Sequence, residues 1–389
     1  MGIPVPTGAA LLSLTAFPVS YFVNTVSALE DPNSIFVVGV LVLLALSTAA
    51  YLQVRNQPPR DPLFYAFTVF AFTSVIDLII SLEADGFISG FMSFYMKEGE
   101  PYLRTSYGVM ACYWDGSVHY ILYLMLISAI GQGKNYRHTG LYWLGSIMTS
   151  MLVLIPGSVI GKFGSLIRPA VLLNIPYIFI PIWAGVKIFG KPKMVPQSIA
   201  DQITLEQKKP LYQRPLDLVL IAYLLFAIVL SIFRGLVALD CPLESCFNYI
   251  YQYEPYLKDP VAYPKVMMMV YMFYCVPLFG VSVIGLIKPG CDWMLDVSLI
   301  LAGALAQGQF THIFSSYHSM TPYTYRVPDG TWWTVLILNL IYGLGPQLLA
   351  YRCCYYSDFF VKTAPKSKEE NDKKTSVSLK KTCHLYGAE

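Results

Sequence analysis

Three ionisable residues sit where an apolar chain tolerates them least. Asp77 lies in Thr73-Ser74-Val75-Ile76-Asp77, and Asp115 and His119 lie in Trp114-Asp115-Gly116-Ser117-Val118-His119. All three fall inside long apolar runs, where an ionisable side chain is costly and marks a functional site by default. Asp115 and His119 are four apart and share one helix face. An aspartate there can pair with the imidazole, favour its protonated form and give the pair acid/base capability. Packing of the Asp77 run against the next would gather all three into one polar pocket, with Ser81 and Trp114 completing the candidate set. The alternative is a clasp whose hydrogen bonds only fix helix packing.

The second half of the chain echoes the first. Glu100-Pro101-Tyr102-Leu103-Arg104 returns 154 positions later as Glu254-Pro255-Tyr256-Leu257-Lys258. The pattern L-N-x-x-Y-x-x-x-P occurs at 173–181 and again at 338–346. Two matches in the same order argue for an internal duplication. At that offset Asp115 falls on Met269 and His119 near Phe273. The second copy then offers hydroxyls and amides, with Tyr271, Tyr274 and Gln307 as its candidates beside Gln309, Thr311 and His312. A binding pocket tolerates such an exchange; a catalytic mechanism shared by both copies does not. Arg234, near the end of its apolar run, is expected to snorkel. In each EPYL block the glutamate precedes a base by four residues. This predicts surface pairs Glu100–Arg104 and Glu254–Lys258 worth a few tenths of a kcal/mol. Pro101 and Pro255 would set the turns, and Tyr102 and Tyr256 would anchor at the membrane interface.

These residues need a membrane frame. Of 389 residues, 55% are hydrophobic and 13% charged, against roughly 25% charged in a soluble domain. The fold class is an all-α polytopic membrane protein. At roughly 20 apolar residues per span, ten spans are expected, near 8–28, 35–53, 63–83, 108–131, 141–161, 169–189, 217–239, 266–287, 294–315 and 333–352. Two of them, in residues 1–60, precede a module at 61–190. A polar cytosolic linker (191–214) leads to a second module at 215–355, and a disordered, lysine-rich cytosolic tail covers 356–389. Four spans per module is an even number, so both copies lie the same way in the membrane. The distribution of Lys and Arg puts both termini in the cytosol and both EPYL blocks on the luminal side. A net charge of +3, without a basic aromatic patch, gives no sign of nucleic-acid binding. No nucleotide loop, nucleophile elbow or zinc-binding helix motif occurs, so no cofactor or metal is expected. Cys241 and Cys246 form the one close cysteine pair in a polar loop and could be bridged.

The stretches Asp61-Pro62-Leu63-Phe64-Tyr65, Cys112-Tyr113-Trp114-Asp115-Gly116 and Gly140-Leu141-Tyr142-Trp143-Leu144-Gly145-Ser146 resemble the transmembrane 6 superfamily. So do Phe233-Arg234-Gly235-Leu236, Asp259-Pro260-Val261-Ala262-Tyr263-Pro264-Lys265 and Tyr325-Arg326-Val327-Pro328. The resemblance covers nearly the whole chain except the lysine tail. It implies two tandem EXPERA domains, the four-helix module of the emopamil-binding sterol isomerase and the sigma-2 receptor. It also implies residence in the endoplasmic reticulum and the intermediate compartment towards the Golgi. The role implied is loading triglyceride onto secreted lipoproteins while limiting lipid-droplet content, with membrane lipid or sterol as ligand and lipoprotein-assembly proteins as partners. The isomerase carries a histidine with a glutamate four residues later. Here Asp77 and Ser81 stand in their places and Asp115 corresponds to the acid of the following helix, while the second module has Ala227 and Tyr271 near the equivalent places of Asp77 and Asp115, with no acid at either. The expected function is therefore a lipid-binding regulator rather than an enzyme. A sterol isomerase-like enzyme using Asp77, Asp115 and His119, and a lipid transporter or scramblase, are the alternatives.

Overall fold

Local chemistry opens the helices. Asp31 caps one by accepting hydrogen bonds from the amides of Asn33 and Ser34, with Pro32 at the first helical position, where its missing N–H costs nothing. The Asp61 carboxylate accepts from the amide of Leu63 (3.2 Å), and Thr105 Oγ1 accepts from that of Gly108 (3.0 Å). The computed structural model describes residues 5–193 and 200–362, and among them the fold is helical throughout. Nine helices among the described residues are long and apolar enough to cross a membrane. They are α1 (Pro6–Thr25), α2 (Pro32–Val54), α3 (Leu63–Ala84), α5 (Arg137–Ile160), α6 (Pro169–Phe189), α7 (Pro215–Ala238), α8 (Tyr263–Ile287), α9 (Met294–Tyr317) and α10 (Tyr323–Tyr355). The tenth expected span, α4 (106–131), is one continuous helix. It is less apolar than the rest because it carries Asp115 and His119.

The two halves, α3–α6 and α7–α10, repeat the same local geometry. Glu100 and Glu254 share a backbone conformation (φ −132° for both, ψ 76° and 67°), and each opens a 3-10 turn over the PYL residues. Each following helix is interrupted by one π-helical turn, Asp115–His119 in α4 and Tyr271–Cys275 in α8. This corrects the constant offset read from the sequence: Asp115 aligns with Tyr271 and His119 with Cys275, not with Met269 and Phe273. Extra residues between Lys258 and Tyr263, including Ala262 at φ +65°, shift the register. One step further, Gly116 packs against Leu78 and its counterpart Met272 packs against Gly235. The counterpart of Asp77 is thus Arg234, not Ala227.

The halves meet along α5 and α9 through two glycines. A Cβ on Gly145 would sit 1.9 Å from the Ile300 carbonyl oxygen, and one on Gly303 would sit 1.9 Å from that of Tyr142. Each glycine presses on the backbone one turn before the other, as across a two-fold axis. Arg137 closes the seam at one end. Its Nη2 donates to Asp296 (2.7 Å) and its Nη1 to the carbonyls of Ile188, Phe189 and Lys191. The N-terminal pair α1 and α2 packs on the first half, chiefly against α3, α4 and the start of α6.

Residues 356–362, expected to open the disordered tail, are instead packed on the fold. Phe359 and Phe360 are buried, with the guanidinium of Arg214 over one ring and that of Arg352 over the other. The tail's lysines from Lys366 onward lie outside the described residues. Cys241 and Cys246 are both free thiols.

Candidate functional site: an acidic cavity in the first half and an ion pair in its place in the second

A cavity of about 210 Å³ lies between α1, α2 and the first half. One wall is apolar, with Val19 and Val23 from α1 and Val38 and Val42 from α2. The other carries Asp77, Glu100 and Asp115, with Tyr95, Asn174 and Tyr177 between them. No lysine, arginine or histidine is among the lining residues. The outer face of α2 exposes Val37, Leu41 and Leu44, so a single helix separates the cavity from the surrounding lipid.

The polar wall is held from behind. Ser74 Oγ donates to Asp115 Oδ2 (2.6 Å). Asp115 Oδ1 meets His119 Nδ1 (2.7 Å), and His119 Nε2 meets Ser146 Oγ (2.7 Å), which also accepts from Trp114 Nε1 (2.9 Å). This chain crosses from α3 through α4 to α5. His119 and Trp114 are buried in it and do not line the cavity. Ser81 is also part of the packing, donating to the carbonyls of Asp77 (3.0 Å) and Val109 (3.1 Å). Of the predicted first-half set, Asp77 and Asp115 face the cavity. The other three position them.

Neither EPYL glutamate makes the surface pair that its spacing suggested, because the 3-10 turn breaks the helical four-residue geometry. Glu100 turns inward and accepts from Tyr95 (2.8 Å), from Tyr102 and from Asn174, while Arg104 stays exposed. Glu254 does the same with a different set. It accepts from Tyr249 (2.7 Å), Asn339 (3.0 Å) and the Arg234 guanidinium (2.7 Å), and His312 Nε2 lies 3.3 Å away. Lys258 pairs with Asp240 instead. Tyr102 and Tyr256 are buried rather than interfacial. Arg234 does not snorkel: it is 1% exposed, held inside by Glu254 on Nη2 and by the Tyr249 hydroxyl on Nε (2.9 Å). In both halves the asparagine of the second repeated motif reaches the glutamate of the first. The recurrence of the two motifs together was the signal that could have paired Glu100 with Asn174 and Glu254 with Asn339.

The two glutamates differ in charge state preference. Burial raises the Glu100 carboxyl above its ordinary value, and hydrogen bonds from Tyr102, Tyr95 and Asn174 only partly offset this. Burial acts on Glu254 as well, but the Arg234 charge and the bonds from His312 and Tyr249 outweigh it and hold that carboxyl well below the usual range. The candidates of the second half are spread out. Tyr271 accepts from Gln309 Nε2 (2.8 Å), Gln307 is fully buried on α9, and Tyr274 is half-buried on α8. None of the three lines the first-half cavity.

An all-helical chain crossing the membrane many times, with a repeated four-helix half and a polar cavity in one copy, is the class that this fold and site define. The chain belongs to the transmembrane 6 superfamily. The family model for the "Transmembrane 6 superfamily member 2-like, transmembrane domain" matches residues 15–199, the stretch that lines the cavity. Among its relatives, Transmembrane 6 superfamily member 2 of Homo sapiens is 52% identical over 366 residues, covering 94% of this chain and 97% of the relative. The protein of the same name in Mus musculus is 50% identical over 376 residues, covering 96% and 100%. No solved structure matches the chain.

Proposed function

We propose that this protein is a lipid-binding regulator of lipid metabolism in secretory-pathway membranes, and that its ligand site is the cavity of the first half. The observation that carries this reading is the cavity itself: an apolar wall one helix away from the bilayer, facing a polar wall that can orient a head group. Sterols and acyl lipids have that two-part chemistry, and such sites are apolar with a few placed polar groups. In this reading Asp77, Glu100 and Asp115 fix the polar end, and Ser74, His119 and Ser146 hold the wall in place. The two halves are EXPERA modules, of which the second has closed its pocket with Arg234. The larger role is promotion of triglyceride loading into secreted lipoproteins with restraint of lipid-droplet content, from the endoplasmic reticulum and the intermediate compartment, with both termini cytosolic. Lipid mass spectrometry on protein purified in mild detergent tests the site. A sterol or neutral lipid enriched in the wild type and lost in Asp77→Ala/Asp115→Ala supports it. Identical bulk lipid in both overturns it. Unchanged lipoprotein lipid content in cells lacking the protein would overturn the larger role.

A further inference from the structure

The short helix Glu244–Gln252 has a three-way division that the ligand site does not use. Its residues fall into stripes spaced by four. Cys246 and Ile250 are buried. Glu244, Asn248 and Gln252 form an exposed polar stripe. Leu243, just before the helix, continues through Phe247 and Tyr251 as an exposed apolar stripe, at 61%, 60% and 61% exposure. A helix in water needs two faces. A third, apolar and uncovered, calls for an apolar neighbour.

We propose that this segment is an interfacial anchor, and that the apolar stripe is seated in the head-group and acyl boundary of the leaflet on the EPYL side. Three observations choose the bilayer over a protein occupant. First, the stripe continues a lipid-facing surface. The exposed side of α7 runs through Val229, Ile232 and Leu236 to Leu239. The chain then turns at Asp240, in the left-handed region at φ +64°, so the helix begins directly at the end of a membrane span. Second, its far end is tied to the start of another span. Thr331 Oγ1 donates to the Gln252 carbonyl (2.7 Å), which sets Trp332 and the exposed Trp333 beside it. Tryptophan and tyrosine at a span's end mark the head-group level. Third, the first half shows what the corresponding stretch requires. There the residues before Glu100 are roofed by the N-terminal spans. Phe91 packs edge-on against Phe17 and Tyr21, Ile35 contacts the Gly99 backbone position, and Asn24 accepts from Ser93 and the Phe94 amide. The second half has no such described roof, and lipid takes the position that two apolar helices take in the first. The polar stripe then faces water, as amphipathic interfacial helices require. Tyr249, on the inner side, joins the anchor to the Arg234–Glu254 pair.

The test uses the full chain in phosphatidylcholine nanodiscs, with a nitroxide side chain at 247 or at 248 introduced as a genetically encoded amino acid, so that the native cysteines are untouched. Both positions are exposed, so neither label has to displace the core. The ratio of collisions with oxygen to collisions with a water-soluble nickel chelate is read at each. The anchor predicts an inversion: oxygen dominates at 247 and the chelate at 248. Chelate dominance at both positions, with the helix standing in water, overturns the proposal. A label at 247 shielded from both reagents also overturns it. Spin–spin coupling would then identify the cover as a second copy of the chain, and its absence would identify a co-purified protein.

Discussion

Glu100 and Glu254 begin the same four-residue EPYL block, adopt the same backbone and accept from the same tyrosine and asparagine positions, yet they do opposite things. Glu254 has a guanidinium one helix away, and the ion pair seals that position in the second half. Glu100 has Asp77 where Arg234 would stand, and the first half is hollow there. The exchange of a base for an acid, together with the apolar wall that α1 and α2 add to the first half, separates a half sealed by an ion pair from an open one. A buried carboxylate without a cation is expensive, and Glu100 is buried beside the cavity with neutral partners only.

The largest expected effect breaks the sealed side. Arg234→Leu leaves Glu254 buried without its cation and should cost about 3–5 kcal/mol, read as a drop in the unfolding midpoint in detergent. The double change Arg234→Leu/Glu254→Leu should restore most of it, since replacing both members of a buried pair by apolar groups is often neutral. The corresponding change in the open half, Asp77→Leu, should leave the midpoint near that of the wild type or raise it, while bound lipid is lost. A large drop for Asp77→Leu would mean that the two halves are held alike.

Next in size is the seam. Gly145→Leu places a side chain against the backbone at Ile300 and should cost about 1–3 kcal/mol through overpacking. Gly303→Leu should cost about the same, because the contact is reciprocal. Unequal losses would break the two-fold reading of the interface. Ser146→Ala removes the oxygen shared by Trp114 and His119 and should cost about 1–3 kcal/mol. It should not abolish lipid retention, since Ser146 lies behind the wall and not on it. Loss of lipid without loss of stability would move His119 from support to site.

The smallest effect is in pH, and its sign differs between the halves. The folded-state carboxyl of Glu254 is held below the ordinary glutamate value of 4.5, so its stabilisation is present above that pH and is lost progressively as pH falls below it. Glu100 is raised above 4.5, so the fold gains stability as pH falls through the raised value towards 4.5, with nothing further below. In the Arg234→Leu/Glu254→Leu variant the loss from this pair below 4.5 should vanish and the gain above it should remain. Unfolding midpoints between pH 7 and 3 separate the two.

The helices were legible because a bilayer demands long apolar runs, and Asp77 and Asp115 were legible because they violate them. The partners were less so. Spacing arguments assume a helix, and the EPYL blocks form 3-10 turns, which sent both glutamates inward instead of towards Arg104 and Lys258. Arg234 looked free to snorkel because its partner lies 20 residues on, past a turn and a short helix. The register slipped because the chain before α8 carries extra residues that no offset between the EPYL blocks can reveal. The apolar wall from α1 and α2 left no mark in the sequence at all: valines that line a cavity and valines that face lipid are the same residue.

The central claim is that the open half, and not the closed one, receives a lipid. A photoreactive sterol carried with the purified wild-type chain, activated by light and mapped by peptide mass spectrometry, tests it most directly. Adducts are expected on α2 around positions 38–42 and on α3 around positions 76–80, displaced by excess unlabelled sterol and absent in Asp77→Ala/Asp115→Ala. Displaceable adducts shared evenly between the halves, or gathered near Arg234 and Tyr342, would contradict it.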